Sequence, residues 1–298
     1  MTRLLITGKS GQVGWELQRS LQCLGEVVAV DREQFDLAQP ETLAARLDEI
    51  SPDVIVNAAA YTAVDKAESD EALATTVNGD APTELARWAV RRSAMLVHYS
   101  TDYVFDGGSG HPYSEDAATC PVNAYGRSKL VGEAGIRDSG CDHLVVRTTW
   151  VYASRGKNFL LTMLRLANER PELRVVDDQI GAPTWARSIA DVTGHLLART
   201  VVDRRAAGFR SAVVNVASQG ATSWHGFAGE IVDAAVERGL VDSARRPRIR
   251  AIPSSAYSTP ARRPSNSVLD LSLLSARFGI SVPDWRVALR LCLDELVR

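Results

Sequence analysis

Leu4-Leu5-Ile6-Thr7-Gly8-Lys9-Ser10-Gly11-Gln12-Val13-Gly14 is the stretch that decides the fold. A short apolar run leads into three glycines spaced G-x-x-G-x-x-G, and Trp15 to Leu21 then carries helical periodicity. Strand, glycine loop and helix in that order form the setting of a dinucleotide fingerprint. Gly8, Gly11 and Gly14 let the backbone turn tightly and bring its amides up to a pyrophosphate at a helix N-terminus. Ser10 stands where the commoner fingerprint has its middle glycine. A glycine-rich loop alone is more often a plain turn than a nucleotide cradle, so the next element has to decide. Glu26 to Asp31 reads as a second strand ending in an acid about 20 residues past the loop, where a carboxylate can bind the adenosine ribose. Asp31 argues for NADH. Arg32 directly after it could pair with the 2′-phosphate of NADPH, and the sequence leaves both cofactors open.

Further along, Pro40 suits a first helical position and Glu41 to Ile50 follows as an amphipathic helix. Asp53 to Ala60 gives a buried strand running into small residues, with a polar loop, Tyr61 to Glu68, at its C-terminal end. A long helix from about Ala72 to Arg92 leads to the strand Met95 to Thr101, and Leu144 to Arg147 makes one more. This alternation predicts an α/β fold with a doubly wound parallel sheet of Rossmann type. After Trp150 the rhythm loosens, which predicts a smaller mixed α/β substrate domain. The expected division is 1–150 with about 186–218 for the dinucleotide and about 151–185 with 219–298 for the substrate. In the Pro253 to Pro264 loop, Arg262 and Arg263 could hold an anionic phosphate or could simply be solvated.

Asn123-Ala124-Tyr125-Gly126-Arg127-Ser128-Lys129 supplies the chemistry. In a helix, Tyr125 and Lys129 lie one turn apart on one face. A cation there favours the phenolate and would draw the phenol down from about 10 toward neutrality, making a usable general acid. With seven Tyr and four Lys in 298 residues, such a spacing arises by chance about one time in ten, so context must support it. Thr101, at the end of a strand, is placed to offer its hydroxyl to a carbonyl oxygen beside Tyr125. It could equally be a strand-end threonine satisfied by backbone.

The net charge of −2 and the interspersed charges leave no basic stripe for nucleic acid and no polybasic membrane patch, so a small-molecule partner is expected. Four cysteines without paired spacing and an N-terminus running straight into a strand point to the reducing cytoplasm. No apolar run approaches the roughly 20 residues that span a bilayer.

Several stretches together resemble the extended short-chain dehydrogenase/reductases, and within them the reductases of 4-keto sugar nucleotides. They are Thr7 to Leu17, Val56 to Glu68, His98 to Phe105, Arg147 to Tyr152, Asp178-Gln179 with Gly181-Ala182-Pro183-Thr184, and Arg263-Pro264 with Asn266-Ser267. The likeness runs from about Thr2 to Leu296. It implies Tyr125 as catalytic acid, Lys129 as its partner and nicotinamide-ribose ligand, and Thr101 as the third member. It also implies that Gly11, Gln12, Val13, Asp31, Asp36, Leu37, Ala60, Tyr61, Thr62 and Tyr99 line the dinucleotide. Thr101, Asp102, Tyr125 and Trp150 would touch the sugar nucleotide, with Val64 and Asp65 near the sugar. The implied reaction is hydride transfer from NADPH or NADH to carbon 4 of dTDP-4-dehydro-6-deoxy-L-mannose. Some members form homodimers around magnesium held by glutamates. Glu16 and Glu295 match two such positions, but Arg187 occupies the third and a cation repels a metal, so Glu16 is expected to be a solvated helix residue.

Two alternatives stand beside this. A dehydratase needs an acid pair after the catalytic threonine, whereas Tyr103 follows Asp102; an epimerase is not disfavoured on that ground. A non-catalytic binding subunit on the same fold would be expected to lose Thr101, Tyr125 or Lys129, and all three are present.

Overall fold

The computed structural model describes residues 2–297. Six strands form the central sheet: β1 (Arg3–Thr7), β2 (Glu26–Val30), β3 (Val54–Asn57), β4 (Met95–Thr101), β5 (Asp142–Thr148) and β6 (Ala212–Asn215). Every neighbouring pair is parallel, in the order β2-β1-β3-β4-β5-β6. The chain passes from β1 outward to β2 and then back across to β3, so the order reverses between β1 and β3. A crevice opens there at the carboxyl ends of the strands, the place where open α/β sheets take ligands.

Alternation of side chains sorts the strands onto two cores. On one face Leu4, Ile6, Val54, Val56, Met95, Val97, Leu144 and Val146 pack with Leu17 and Leu21 and with Ile189 and Leu196 of the helix Ala186–Arg205. On the other, Leu5, Ile55, Leu96 and Val145 meet the helices Pro40–Ile50, Ala81–Arg92 and Ala124–Ser139 through Leu43, Leu47, Leu85, Trp88 and Ile136. Strands covered on both sides read as continuous apolar runs, which is why they stood out in the sequence.

A third cluster, with Tyr152, Leu160, Met163, Leu173, Val175, Phe227, Ile231, Trp285 and Leu289, lies outside the sheet. Its small sheet pairs Glu172–Val176 in parallel with Arg248–Ile252. Leu274 and Phe278, from the helix Ser272–Phe278, pack instead into the first face of the large sheet.

The helix expected from Ala72 to Arg92 is interrupted. Glu71–Thr75 is α-helical, Thr76–Asp80 widens to a π turn, and Ala81–Arg92 resumes the α-helix. The π turn presents the buried Asn78, whose amide is fully used: Oδ1 accepts from Tyr61 N at 2.9 Å, and Nδ2 donates to Tyr61 O and Ser128 Oγ, each at 3.0 Å. One carboxamide thus ties the loop after β3 to the Tyr125 helix.

Candidate active site

The glycine loop has the geometry a pyrophosphate cradle requires. Gly8 sits at φ +73°, and a Cβ there would lie 2.9 Å from Ala59 N. A Cβ on Gly14 would lie 2.1 Å from Gly8 O, so only glycine lets the helix Gln12–Ser20 start this close to the loop. Gly11 N donates back to Gly8 O at 2.9 Å, and no side chain caps the helix, leaving its first amides open to an anion. Gln12 accepts a hydrogen bond from Asn158 at 2.9 Å, linking the loop to the C-terminal region, and Val13 packs on the first core.

The acid and the arginine after β2 are both engaged. Lys9 Nζ lies 2.9 Å from Asp31 Oδ2 and 2.6 Å from Gln34 Oε1, and its hydrogen bond holds the Asp31 carboxyl below the usual range. Arg32 turns outward to Asp36 at 3.3 Å. The cation facing Asp31 is therefore Lys9, which the sequence pattern did not single out because it is one of the spacer positions of the loop. The Leu37 side chain belongs to the second core. Tyr99, expected to line the dinucleotide, has its ring in the first core, on which Val13 of the glycine loop also packs, and its hydroxyl 2.7 Å from Thr193 Oγ1. Strand alternation explains this, since Tyr99 faces the same side as Val97. Ala60 and Tyr61 are half-buried and Thr62 is exposed in the loop beyond β3.

Tyr125 enters on a well-defined helix start. Asn123 Oδ1 accepts from Gly126 N at 2.8 Å as N-cap, while Asn123 Nδ2 donates to Arg262 O at 2.8 Å. A Cβ on Gly126 would lie 2.1 Å from Tyr103 O and one on Gly132 2.2 Å from Asn78 O, so glycines let this helix close in on two neighbours at once. The Tyr103 and Tyr125 rings meet edge to face at 5.8 Å. Thr101, buried at the end of β4, donates to Asp102 Oδ1 at 2.9 Å and accepts from Tyr103 N at 3.2 Å. Backbone satisfaction and site placement thus hold for this threonine together.

The expected lowering of the phenol by Lys129 is not what the structure gives. Burial raises Tyr125 above the ordinary phenol value, and the Asp102 carboxylate adds to the rise, with a Thr101 hydrogen bond opposing. Asp102 is itself lifted by burial to about 6, against the nearby hydroxyls of Ser267, Thr101 and Thr149, of which Thr101 makes a hydrogen bond at 2.9 Å. The Lys129 ammonium is brought down by burial to about 7, with Glu133 opposing. Lys129 Nζ lies 3.1 Å from His98 Nε2. A buried lysine drawn toward its neutral form is a weak lever on a neighbouring phenol.

A cavity of about 670 Å³ opens beside Tyr103, walled by Phe159, Met163, Trp224 and Tyr257, and Val64, Asp65, Thr101, Asp102, Tyr125 and Trp150 are not among its lining residues. Arg263 also lines it, but its guanidinium clasps Asp65 with both Nη–Oδ distances at 2.9 Å. Ala261 N adds a bond to Asp65 Oδ1 at 3.2 Å. Two residues expected to hold ligand thus hold each other, with Val64 beside them at the start of a short helix, Val64–Ala67. Trp150 takes the left-handed conformation at φ +44° and stacks on Trp224 at 3.5 Å. A bulky residue in that region is a marker of a functional site.

Glu16 is not solvated: it is 2% exposed and pairs with Arg187 Nε at 3.1 Å. Arg187 also pairs with Glu295, so a guanidinium bridges the two glutamates.

A doubly wound sheet, an open glycine cradle, a strand-end threonine and a helix bearing Tyr125 and Lys129 define the class of short-chain dehydrogenase/reductases. The chain belongs, more narrowly, to the family described as RmlD substrate binding domain, whose model matches residues 1–298. It is 57% identical over 297 residues to dTDP-4-dehydrorhamnose reductase of Burkholderia thailandensis, covering 99% of both chains. It is 42% identical to the protein of that name from Escherichia coli K12, covering 98% of this chain and 97% of the relative. A solved structure of dTDP-4-dehydrorhamnose reductase from Bacillus anthracis in complex with NADP superposes with a TM-score of 0.89 at 31% identity, covering 99% of this chain and 100% of that one.

Proposed function

We infer that this protein is an NAD(P)H-dependent reductase that converts the 4-keto group of dTDP-4-dehydro-6-deoxy-L-mannose to the alcohol of dTDP-L-rhamnose. The observation that carries this is the end-to-end likeness to curated reductases of that substrate, at up to 57% identity among the relatives described. The glycine loop suits a dinucleotide diphosphate, since glycine at 8 and 14 lets the loop pack on Ala59 and the helix start pack on the loop, while no side chain caps the helix. Gly11, Gln12 and Val13 would hold that diphosphate, with Asp31, Lys9 and Arg32 near the adenosine ribose. When bound, the nicotinamide supplies the hydride.

The chain's own residues supply the rest. Tyr125 serves as the proton donor to the oxygen that becomes the C4 hydroxyl, and Thr101 orients that oxygen. A raised phenol keeps its proton through the resting state and gives it up only to a strong base such as a developing alkoxide, which suits reduction. Trp150 and Tyr103 shape the sugar pocket, and the cavity next to it takes the nucleotide against its apolar wall. The third core, drawn from within 151–185 and 219–298 but without the helix Ser272–Phe278, forms the body of this substrate region. No helix among the described residues is long and apolar enough to cross a membrane. The four cysteines are unpaired, in keeping with a cytoplasmic enzyme.

The test is to supply the 4-keto sugar nucleotide with NADPH or NADH and follow the reduced cofactor by absorbance. Oxidation that depends on the sugar nucleotide supports the assignment; no oxidation with either cofactor would overturn it.

A further inference from the structure

Thr7, Asn57 and His98 lie at or near the carboxyl ends of three adjacent strands, and the register sets them side by side: Thr7 opposite Asn57, Asn57 opposite His98. All three are fully buried, as is Lys129. Their side chains join end to end. Thr7 Oγ1 is 2.6 Å from Asn57 Oδ1, Asn57 Nδ2 is 3.0 Å from His98 Nδ1, and His98 Nε2 is 3.1 Å from Lys129 Nζ. The chain starts at the backbone, where Ala59 N–H donates to Thr7 Oγ1 at 3.2 Å.

The available protons give this chain one direction. The Thr7 hydroxyl accepts from Ala59 and has Asn57 as the recipient of its own proton, so Asn57 turns its oxygen to Thr7 and its NH₂ to the ring. His98 Nδ1 must then accept, and a neutral imidazole with one N–H carries it on Nε2, aimed at Nζ. An ammonium has three donors and no acceptor, so it cannot complete the chain, whereas a free amine can. Reversing the Asn57 amide would leave the Thr7 proton buried without an acceptor.

We propose that this chain stores Lys129 as the neutral amine in the cofactor-free protein, its lone pair held by His98 Nε2–H, and that Lys129 takes up a proton from solvent when a dinucleotide binds. The uptake is a plain protonation of the amine. It sets an N–H of Lys129 against the N–H of His98, breaks that one hydrogen bond and frees the ammonium to turn outward from the strand ends. His98 is a positioning residue in this scheme, because it acts through Lys129.

Burial works in the same direction: it brings Lys129 to about 7 and holds His98 well below the usual imidazole value. Of the other titratable groups around Lys129, Glu133 opposes this only in part. Glu133, one turn on, is taken by Arg147 of β5 at 2.6 and 2.9 Å, and Tyr125, one turn back, has a raised phenol. The π turn brings the uncharged Asn78 to the neighbouring Ser128 hydroxyl.

The first half of the proposal concerns the free protein, and the second rests on the dinucleotide reading. The first is tested on the free, full chain labelled with ¹⁵N-histidine, with His98→Gln identifying the resonance. His98 should appear as the Nε2–H tautomer at pH 8. Thr7→Val, which removes the proton at the head of the chain, should shift it toward the Nδ1–H tautomer, and Thr7→Ser should restore it. An Nδ1–H tautomer in the parent protein, or no shift in Thr7→Val, overturns the stored-amine assignment. The second is tested by calorimetric titration with NADPH in buffers of different ionisation enthalpy. Uptake should rise from about 0.1 proton per cofactor at pH 6 to about 0.9 at pH 8, given a free-protein value of about 7. Binding without uptake at pH 8 overturns the cofactor-driven step alone. No binding at all overturns that step together with the dinucleotide reading, while the tautomer result stands by itself.

Discussion

Asp65 and Arg263 are bound to each other in bidentate fashion across 198 residues of sequence, fastening the loop after β3 to the loop that borders the substrate cavity. Both groups keep partial contact with water, so the pair is worth no more than about 1 kcal/mol to the fold. Its value lies in placing the two loops. Asp65→Asn should leave thermal unfolding nearly unchanged while raising KM for the sugar nucleotide about tenfold, with kcat little affected. Steady-state kinetics beside a melting curve checks this, and an unchanged KM would remove the clasp from the substrate site.

Tyr125→Phe deletes the proton donor and little surface. Turnover should fall by roughly 10²–10⁴-fold, the range of general acid catalysis, with dinucleotide affinity within about twofold of the parent. Single-turnover kinetics and a binding titration separate the two. Retained turnover would exclude Tyr125 as the donor.

Asp102 makes stability depend on pH. Its folded-state value of about 6 lies above the ordinary 3.8, so the folded protein binds this proton more tightly than the unfolded chain. That contribution is fully present below about pH 4 and is lost as pH rises through 6. Asp102→Asn should flatten this part of the profile and raise stability at pH 7 relative to the parent. Denaturant midpoints at pH 5 and 7.5 for both proteins test the sign; an equal pH dependence in the variant would refute it.

Arg187 bridges Glu16 and Glu295 through its guanidinium. Arg187→Glu exchanges the bridge for a third carboxylate and should lower stability in metal-free buffer, because Glu16 is buried. Magnesium at millimolar levels should restore most of the loss, while the parent protein shows no such response. Melting curves with and without magnesium and a chelator decide the matter.

Much of the fold was open to reading because the central strands β1, β3, β4 and β5 are buried on both faces, so Leu4-Leu5-Ile6 and Val54-Ile55-Val56 carry no polar interruption. The glycine positions were readable for the same kind of reason, since close approach admits no other residue. The orientation of Tyr99 was harder: whether a strand residue faces helix or crevice depends on a one-residue phase that apolar runs do not reveal. Asp31 and Arg263 pair with Lys9 and Asp65, side chains that no local pattern marks, whereas Arg32 pairs with Asp36 only four residues on. The parallel pairing of Glu172–Val176 with Arg248–Ile252 is equally hidden, as 71 residues separate the two strands. Thr7, Asn57 and His98 did leave a trace, as polar residues closing or interrupting three apolar runs. The clue lies in their shared depth, visible only once the strands are in register.

The π turn at Thr76–Asp80 has a consequence for how this chain can change over time. A widened turn amounts to one surplus residue accommodated inside a continuous helix. Removing a single residue there would restore regular winding and leave Ala81–Arg92 nearly in phase, with Leu85 and Trp88 still on the sheet. The loss would fall on the bulge itself, where Asn78 would give up its grip on the loop at Tyr61. The segment is therefore open to substitution on its outer face but closed to a change of length.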